Sequence, residues 1–98
     1  MAYRITFNKA IRQQIRQLPG HIKPLAKEQI AHLSENPCPP RSKELAGHPA
    51  YYRMWLGAQY RLVWHVIEEE QVVEIEYVGP KSPELYAYLE LGRPKEGK

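Results

Sequence analysis

Two short stretches of the chain interleave guanidinium groups with aromatic rings: Tyr51-Tyr52-Arg53-Met54-Trp55 and Tyr60-Arg61-Leu62-Val63-Trp64. An arginine grips a phosphate through two parallel N–H bonds, and a flat ring takes the face of a base. Together they suit single-stranded RNA. Groups able to move a proton lie close by in sequence: His65 and Glu74, with His48 upstream. A second reading of the same residues is equally physical, with the arginines neutralised by Glu74 and Glu76 across a strand ladder. His21, His32, His48 and His65 lack the spacing of a ligand set, so no metal is expected. Cys38, alone and flanked by prolines, has no histidine beside it to activate it and is expected to be inert.

The elements that must position these residues follow from periodicity. Tyr3-Arg4-Ile5-Thr6-Phe7 alternates with period two and predicts a short strand. Asn8 is a good cap for a helix whose apolar stripe is Ile11, Ile15 and Leu18. Pro19-Gly20 ends it. A second helix starts near Lys23-Pro24, with Ile22, Ala26, Ile30 and Leu33 as its stripe, and stops before Asn36-Pro37. Residues 36–49, rich in proline and glycine, predict a stiff loop. Three strands then follow, about Tyr51–Leu56, Tyr60–Ile67 and Gln71–Val78, joined at Gly57-Ala58-Gln59 and at Glu68-Glu69-Glu70, and Gly79-Pro80 breaks the last. Pro83 opens a short terminal helix through about Leu91, and residues 92–98 form a polar tail. The expected fold is α+β: a single domain over residues 1–91, with an antiparallel-rich sheet of about four strands. A helical hairpin packs on one face, in the order β-α-α-β-β-β-α.

Alternation also sorts the side chains by face. Tyr52, Met54 and Leu56, then Tyr60, Leu62, Trp64 and Val66, and then Val73, Ile75 and Tyr77 are expected to face the helices. Tyr51, Arg53 and Trp55, then Arg61, Val63, His65 and Ile67, and then Val72, Glu74, Glu76 and Val78 fall on the opposite, partly open face.

Composition narrows the class. Ninety-eight residues, 43% hydrophobic and 26% charged, fit one globular domain. No apolar run reaches the ~20 residues a membrane helix needs. The N-terminus runs straight into a strand pattern, so no signal peptide is expected, and one cysteine cannot close an internal disulfide. A cytoplasmic protein is therefore expected. Residues 1–67 hold ten basic and three acidic residues, and residues 68–98 four basic and eight acidic. The first two-thirds could thus face phosphate.

The chain resembles the RelE/ParE superfamily of bacterial toxin–antitoxin toxins, and the RelE branch more closely. The resemblance runs from Tyr3 to Tyr88. It is carried by Leu33-Ser34-Glu35-Asn36-Pro37, Lys43-Glu44-Leu45-Ala46-Gly47, Pro49-Ala50-Tyr51-Tyr52-Arg53, Tyr60-Arg61-Leu62-Val63-Trp64, Val78-Gly79-Pro80-Lys81 and Glu84-Leu85-Tyr86, in that order. It implies a ribosome-dependent endoribonuclease that cuts mRNA in the A site without a metal or other cofactor. The ribose 2′-hydroxyl attacks the adjacent phosphate, which requires a base, cations on the phosphorane oxygens and an acid at the leaving oxygen. Its partners would be a cognate antitoxin, forming a hetero-oligomer, and the ribosome with bound mRNA.

Carried over by position, the resemblance implies that Arg53, Arg61, Lys81 and Tyr86 form the catalytic set. Arg61 would hold the scissile phosphate, Lys81 clamp phosphate or donate a proton, and Tyr86 orient the nucleotide. Tyr51, Trp55 and Lys43 are the expected RNA contacts. Trp55 departs from the pattern, since the family has a second basic residue there and an indole N–H only donates. The general base is consequently open between His65, Glu74 and His48. Two other functions share the fold: a ParE-like poison of DNA gyrase, and an inactive relative that only binds antitoxin.

Overall fold

A computed structural model describes residues 2–81. Its elements are β1 Arg4–Thr6, α1 Lys9–Arg16, α2 Lys23–Leu33, β2 Lys43–Glu44, β3 Tyr51–Leu56, β4 Tyr60–Ile67 and β5 Val72–Pro80. A single 3-10 turn, Glu68–Glu70, joins β4 to β5. The predicted terminal helix, with Tyr86, and the polar tail lie outside the described residues.

The helices start and bury as their sequences dictate. The Asn8 side chain accepts from the Ile11 amide at 3.0 Å, capping α1. Pro24 sits in the first turn of α2, where its missing N–H leaves no bond unmade. Ile11, Leu18, Ile22, Ala26, Ile30 and Leu33 are buried against one face of the sheet. Met54 and Leu56 of β3, Leu62, Trp64 and Val66 of β4, and Val73, Ile75 and Val78 of β5 meet them there.

The sheet has five strands in the order β1-β5-β4-β3-β2, one more than expected. The extra strand is β2, two residues inside the predicted loop, pairing Lys43 with Arg53 and Glu44 with Tyr52. So short a strand carries no readable alternation. β1 pairs parallel with β5, and the remaining pairs are antiparallel. Gly79-Pro80 does not break the last strand: pairing continues to Pro80, which faces Tyr60 on the edge of the hairpin.

One further expectation fails at β5. His65 pairs with Glu74 and Trp64 with Ile75, but Val63 pairs with Tyr77, so Glu76 is an extra residue and the ladder bulges. The faces therefore exchange beyond it. Val78 joins the main core, and Tyr77 turns to the opposite face, where it packs against a small cluster of Leu45, Tyr51 and Val63. That face is thus partly closed rather than open along its length. Tyr51 is buried, and this corrects its expected place as an exposed stacking ring.

The connection from α2 to β2 is tied to the core at two points. The fully buried Trp64 indole donates to the Pro37 carbonyl at 2.8 Å. Tyr52 meets Cys38, and a hydrogen bond to that sulfur, reinforced by burial, pushes the phenol up to about 12. Beyond them, the Ser42 amide and hydroxyl both donate to the Pro39 carbonyl, at 2.9 and 2.7 Å, and fold the chain into a turn that delivers Arg41 and Lys43 to the sheet edge.

Candidate nucleic-acid interface

Trp55 and Arg61 are directly opposed across the β3–β4 ladder. The Arg61 guanidinium carbon lies 4.4 Å from the indole centroid, a close cation–π contact. Lys81 extends the same arrangement. Its amide donates to the Gln59 carbonyl at 2.9 Å, and its ammonium lies 5.7 Å from the Trp55 ring. Arg61 is only 6% exposed, whereas Trp55 is 43% exposed, so the cation is sheltered beneath a ring that faces solvent.

Beside this group, Lys43 and Arg53 are opposed across β2 and β3. Arg41, Lys43, Arg53, Met54, Trp55 and Arg61 line one cleft of about 190 Å³. Its lining carries four cations and no carboxylate among the described residues. Crowded like charges repel one another, and an anion in the cleft offsets that repulsion. The cleft can thus take an anion such as phosphate, with an exposed indole at its rim.

The structure therefore brings together Arg53, Arg61, Lys43, Trp55 and Lys81 from the residues singled out by sequence. It adds Arg41, which sequence reasoning missed because a proline-rich loop has no periodicity to report where a side chain points. Tyr86 lies outside the described residues.

His65, Glu74 and His48 are placed elsewhere. The His65 ring stacks on Tyr51 at 4.1 Å with 5° between planes, and His48 meets the edge of Tyr51 at 6.1 Å. His65 Nδ1 is 3.8 Å from a Glu74 carboxylate oxygen. His65 is four residues beyond Arg61 along β4, or roughly 13 Å at ~3.3 Å per residue. The small cluster of Leu45, Tyr51, Val63 and Tyr77 stands between the two ends. The face is thus divided: cations and indole at one end, imidazoles and carboxylates at the other.

Cross-strand pairing also draws ligating atoms of His65, Glu74 and Glu76 within 4.8 Å of one another, a closeness that linear spacing hides. Glu74 is half exposed, so its carboxylate stays open to solvent. The Glu44 carboxylate is engaged by the Ala50 amide at 2.8 Å, which helps hold Ala50 at a φ of 69°.

At the cation end the backbone is kept narrow. Gly79 is opposite Arg61, and the Tyr77 ring folds over it to donate to the Pro80 carbonyl at 2.7 Å. A Cβ at Gly79 would meet the Tyr77 hydroxyl at 2.9 Å.

No protein-family model and no curated protein matches the chain. Solved structures do. A double arginine-to-alanine mutant of Escherichia coli toxin RelE in the free state aligns with a TM-score of 0.78 and 28% identity, covering 94% of this chain and 98% of that one. RelE in the intact E. coli RelBE toxin–antitoxin complex gives 0.71 and 29%, covering 83% and 99%. The archaeal RelE–RelB complex of Pyrococcus horikoshii gives 0.71 and 25%, covering 85% and 99%. With a β-α-α-β-β-β-β order over residues 2–81 and near-complete coverage of these toxins, the chain shares the fold of the RelE-like toxins of the RelE/ParE superfamily and is similar to them along nearly its whole length.

Proposed function

We propose that this chain is the toxin of a type II toxin–antitoxin pair and that it cleaves mRNA on the ribosome by attack of the ribose 2′-hydroxyl on the neighbouring phosphate. The observation that carries this is the cleft in which Arg41, Lys43, Arg53 and Arg61 converge beside the exposed Trp55. Arg61 holds the scissile phosphate and stabilises charge on the phosphorane oxygens. Arg53 and Arg41 bind flanking phosphates. Trp55 offers its ring to a base, and Lys81 protonates the leaving 5′-oxygen. Tyr86 orients the nucleotide.

RelE stands with RelB in the solved complexes from E. coli and P. horikoshii. A cognate antitoxin that covers the cationic cleft would silence this chain. The excess of basic residues before residue 68 favours an acidic segment as the covering element.

The test is a reconstituted translation reaction with purified chain and a defined mRNA. Cuts at codon positions, leaving 2′,3′-cyclic phosphate and 5′-hydroxyl ends and suppressed by Arg61→Ala, are expected. Intact mRNA beside trapped gyrase–DNA complexes in a parallel reaction would replace the proposal with a gyrase poison. The loss of a second basic residue at Trp55 is the feature that favours that alternative.

A further inference from the structure

Among the described residues, the candidates read from sequence leave the 2′-hydroxyl proton of the endoribonuclease reading without an acceptor in the cleft. His65, Glu74 and His48 are held around Tyr51 at the far end of the face. Within the cleft, the guanidinium groups of Arg41, Arg53 and Arg61 offer donors and no acceptor, and Met54 and Trp55 carry no basic atom. One lining side chain remains that can exist as a neutral base.

We propose that Lys43 is that base, and that it works in line with Lys81 as the acid. The sheet order supports the pairing. Lys43 is on β2, two strands to one side of Arg61 on β4, and Lys81 follows β5 on the other side. Neighbouring strands are ~4.8 Å apart, so the two amines approach a phosphate held at Arg61 from opposite directions. In-line displacement needs that arrangement, because the attacking and leaving oxygens stand on opposite sides of phosphorus. Lys43 is exposed, and its backbone is fixed by pairing with Arg53 and by the Ser42–Pro39 turn just before it.

The step balances without a cofactor. The neutral Lys43 amine takes the 2′-hydroxyl proton, the 2′-oxygen bonds to phosphorus, and the bond from phosphorus to the 5′-oxygen breaks. The Lys81 ammonium gives its proton to that oxygen. The products are a 2′,3′-cyclic phosphate and a 5′-hydroxyl, and solvent returns both lysines to their starting forms.

The proposal rests on the endoribonuclease reading, and the test separates the two. Single-turnover cleavage on programmed ribosomes is measured for the wild type, Lys43→Ala and Lys43→Arg. Lys43→Cys in a Cys38→Ser background is measured before and after aminoethylation with 2-bromoethylamine. Losing a general base is expected to slow cleavage by ~10²–10⁴-fold in the Ala, Arg and untreated Cys variants. The Arg variant should keep its KM, since charge is retained. Aminoethylation, which restores an amine, should recover most of the rate. A Lys43→Arg variant as fast as wild type would overturn the proposal while leaving the nuclease reading intact, as would aminoethylation without recovery. A wild-type chain that leaves mRNA uncut would overturn both.

Discussion

Arg61 is a cation held under an indole, and that sets how it acts. With its guanidinium against Trp55 and only 6% exposed, it is pre-positioned and would lose little freedom on holding a phosphate. Arg61→Ala is expected to lower the single-turnover cleavage rate by ~10²–10³-fold, the usual cost of one preorganised charge donor. Arg61→Lys should recover part of that rate, because charge remains but the two-pronged grip does not. Equal rates for all three proteins would remove Arg61 from the mechanism. Arg53, Trp55 and Arg61 were legible in the sequence because alternation in β3 and β4 puts them on one face. Arg41 was not, since its direction comes from a turn closed by Ser42 and Pro39. His65 and Glu74 were assigned to the correct face, yet alternation gives the face and not the distance along it.

At the scale of elements, two features hold the cleft in shape. The first is the bulge at Glu76, which turns Tyr77 over Gly79 beside the cation end. Gly79→Ala should displace the Tyr77 ring and cost the Tyr77–Pro80 hydrogen bond, lowering stability by about 1 kcal/mol in urea unfolding. A neutral result would mean that the ring moves aside without loss. The bulge was invisible in the sequence because Val72, Val73, Ile75, Tyr77 and Val78 are all apolar, so either period-two count fits.

The second feature is the tether between Tyr52 and Cys38, at the root of the loop that carries Arg41. The phenol is raised from its ordinary 10.0 to about 12, mainly by the hydrogen bond to Cys38 and then by burial. A raised folded value means the native chain holds this proton more tightly than the unfolded chain does. The resulting stability is fully present below pH 10 and is lost as pH rises towards 12. Tyr52→Phe should therefore be less stable than wild type at neutral pH, with the gap closing between pH 10 and 12. A gap that stays constant across that window would show that the phenol proton is not involved.

Over the whole molecule, charge is unevenly distributed along the chain. Basic residues dominate before residue 68, and the cleft gathers four of them, with Lys81 adjoining through Trp55. If all five touch phosphate, binding should weaken with salt at a log–log slope of about −3.5, at ~0.7 per single-strand contact. Affinity for programmed ribosomes measured between 50 and 200 mM salt checks this, and a flat response would exclude the cleft as the binding surface. The helical hairpin, the three long strands and the packing of one sheet face were all readable from periodicity. The fifth strand and the closed half of the opposite face were not, because a two-residue strand and the side chains that meet beyond a bulge leave no repeating pattern.

Mapping mRNA 5′ ends in living cells decides whether this cationic cleft cuts RNA. Wild type and Arg61→Ala are induced side by side without antitoxin. New 5′-hydroxyl ends at codon positions within translated regions are expected for the wild type, absent or strongly reduced for the variant. Growth arrest by the wild type with no new ends, or identical ends from both proteins, would contradict it.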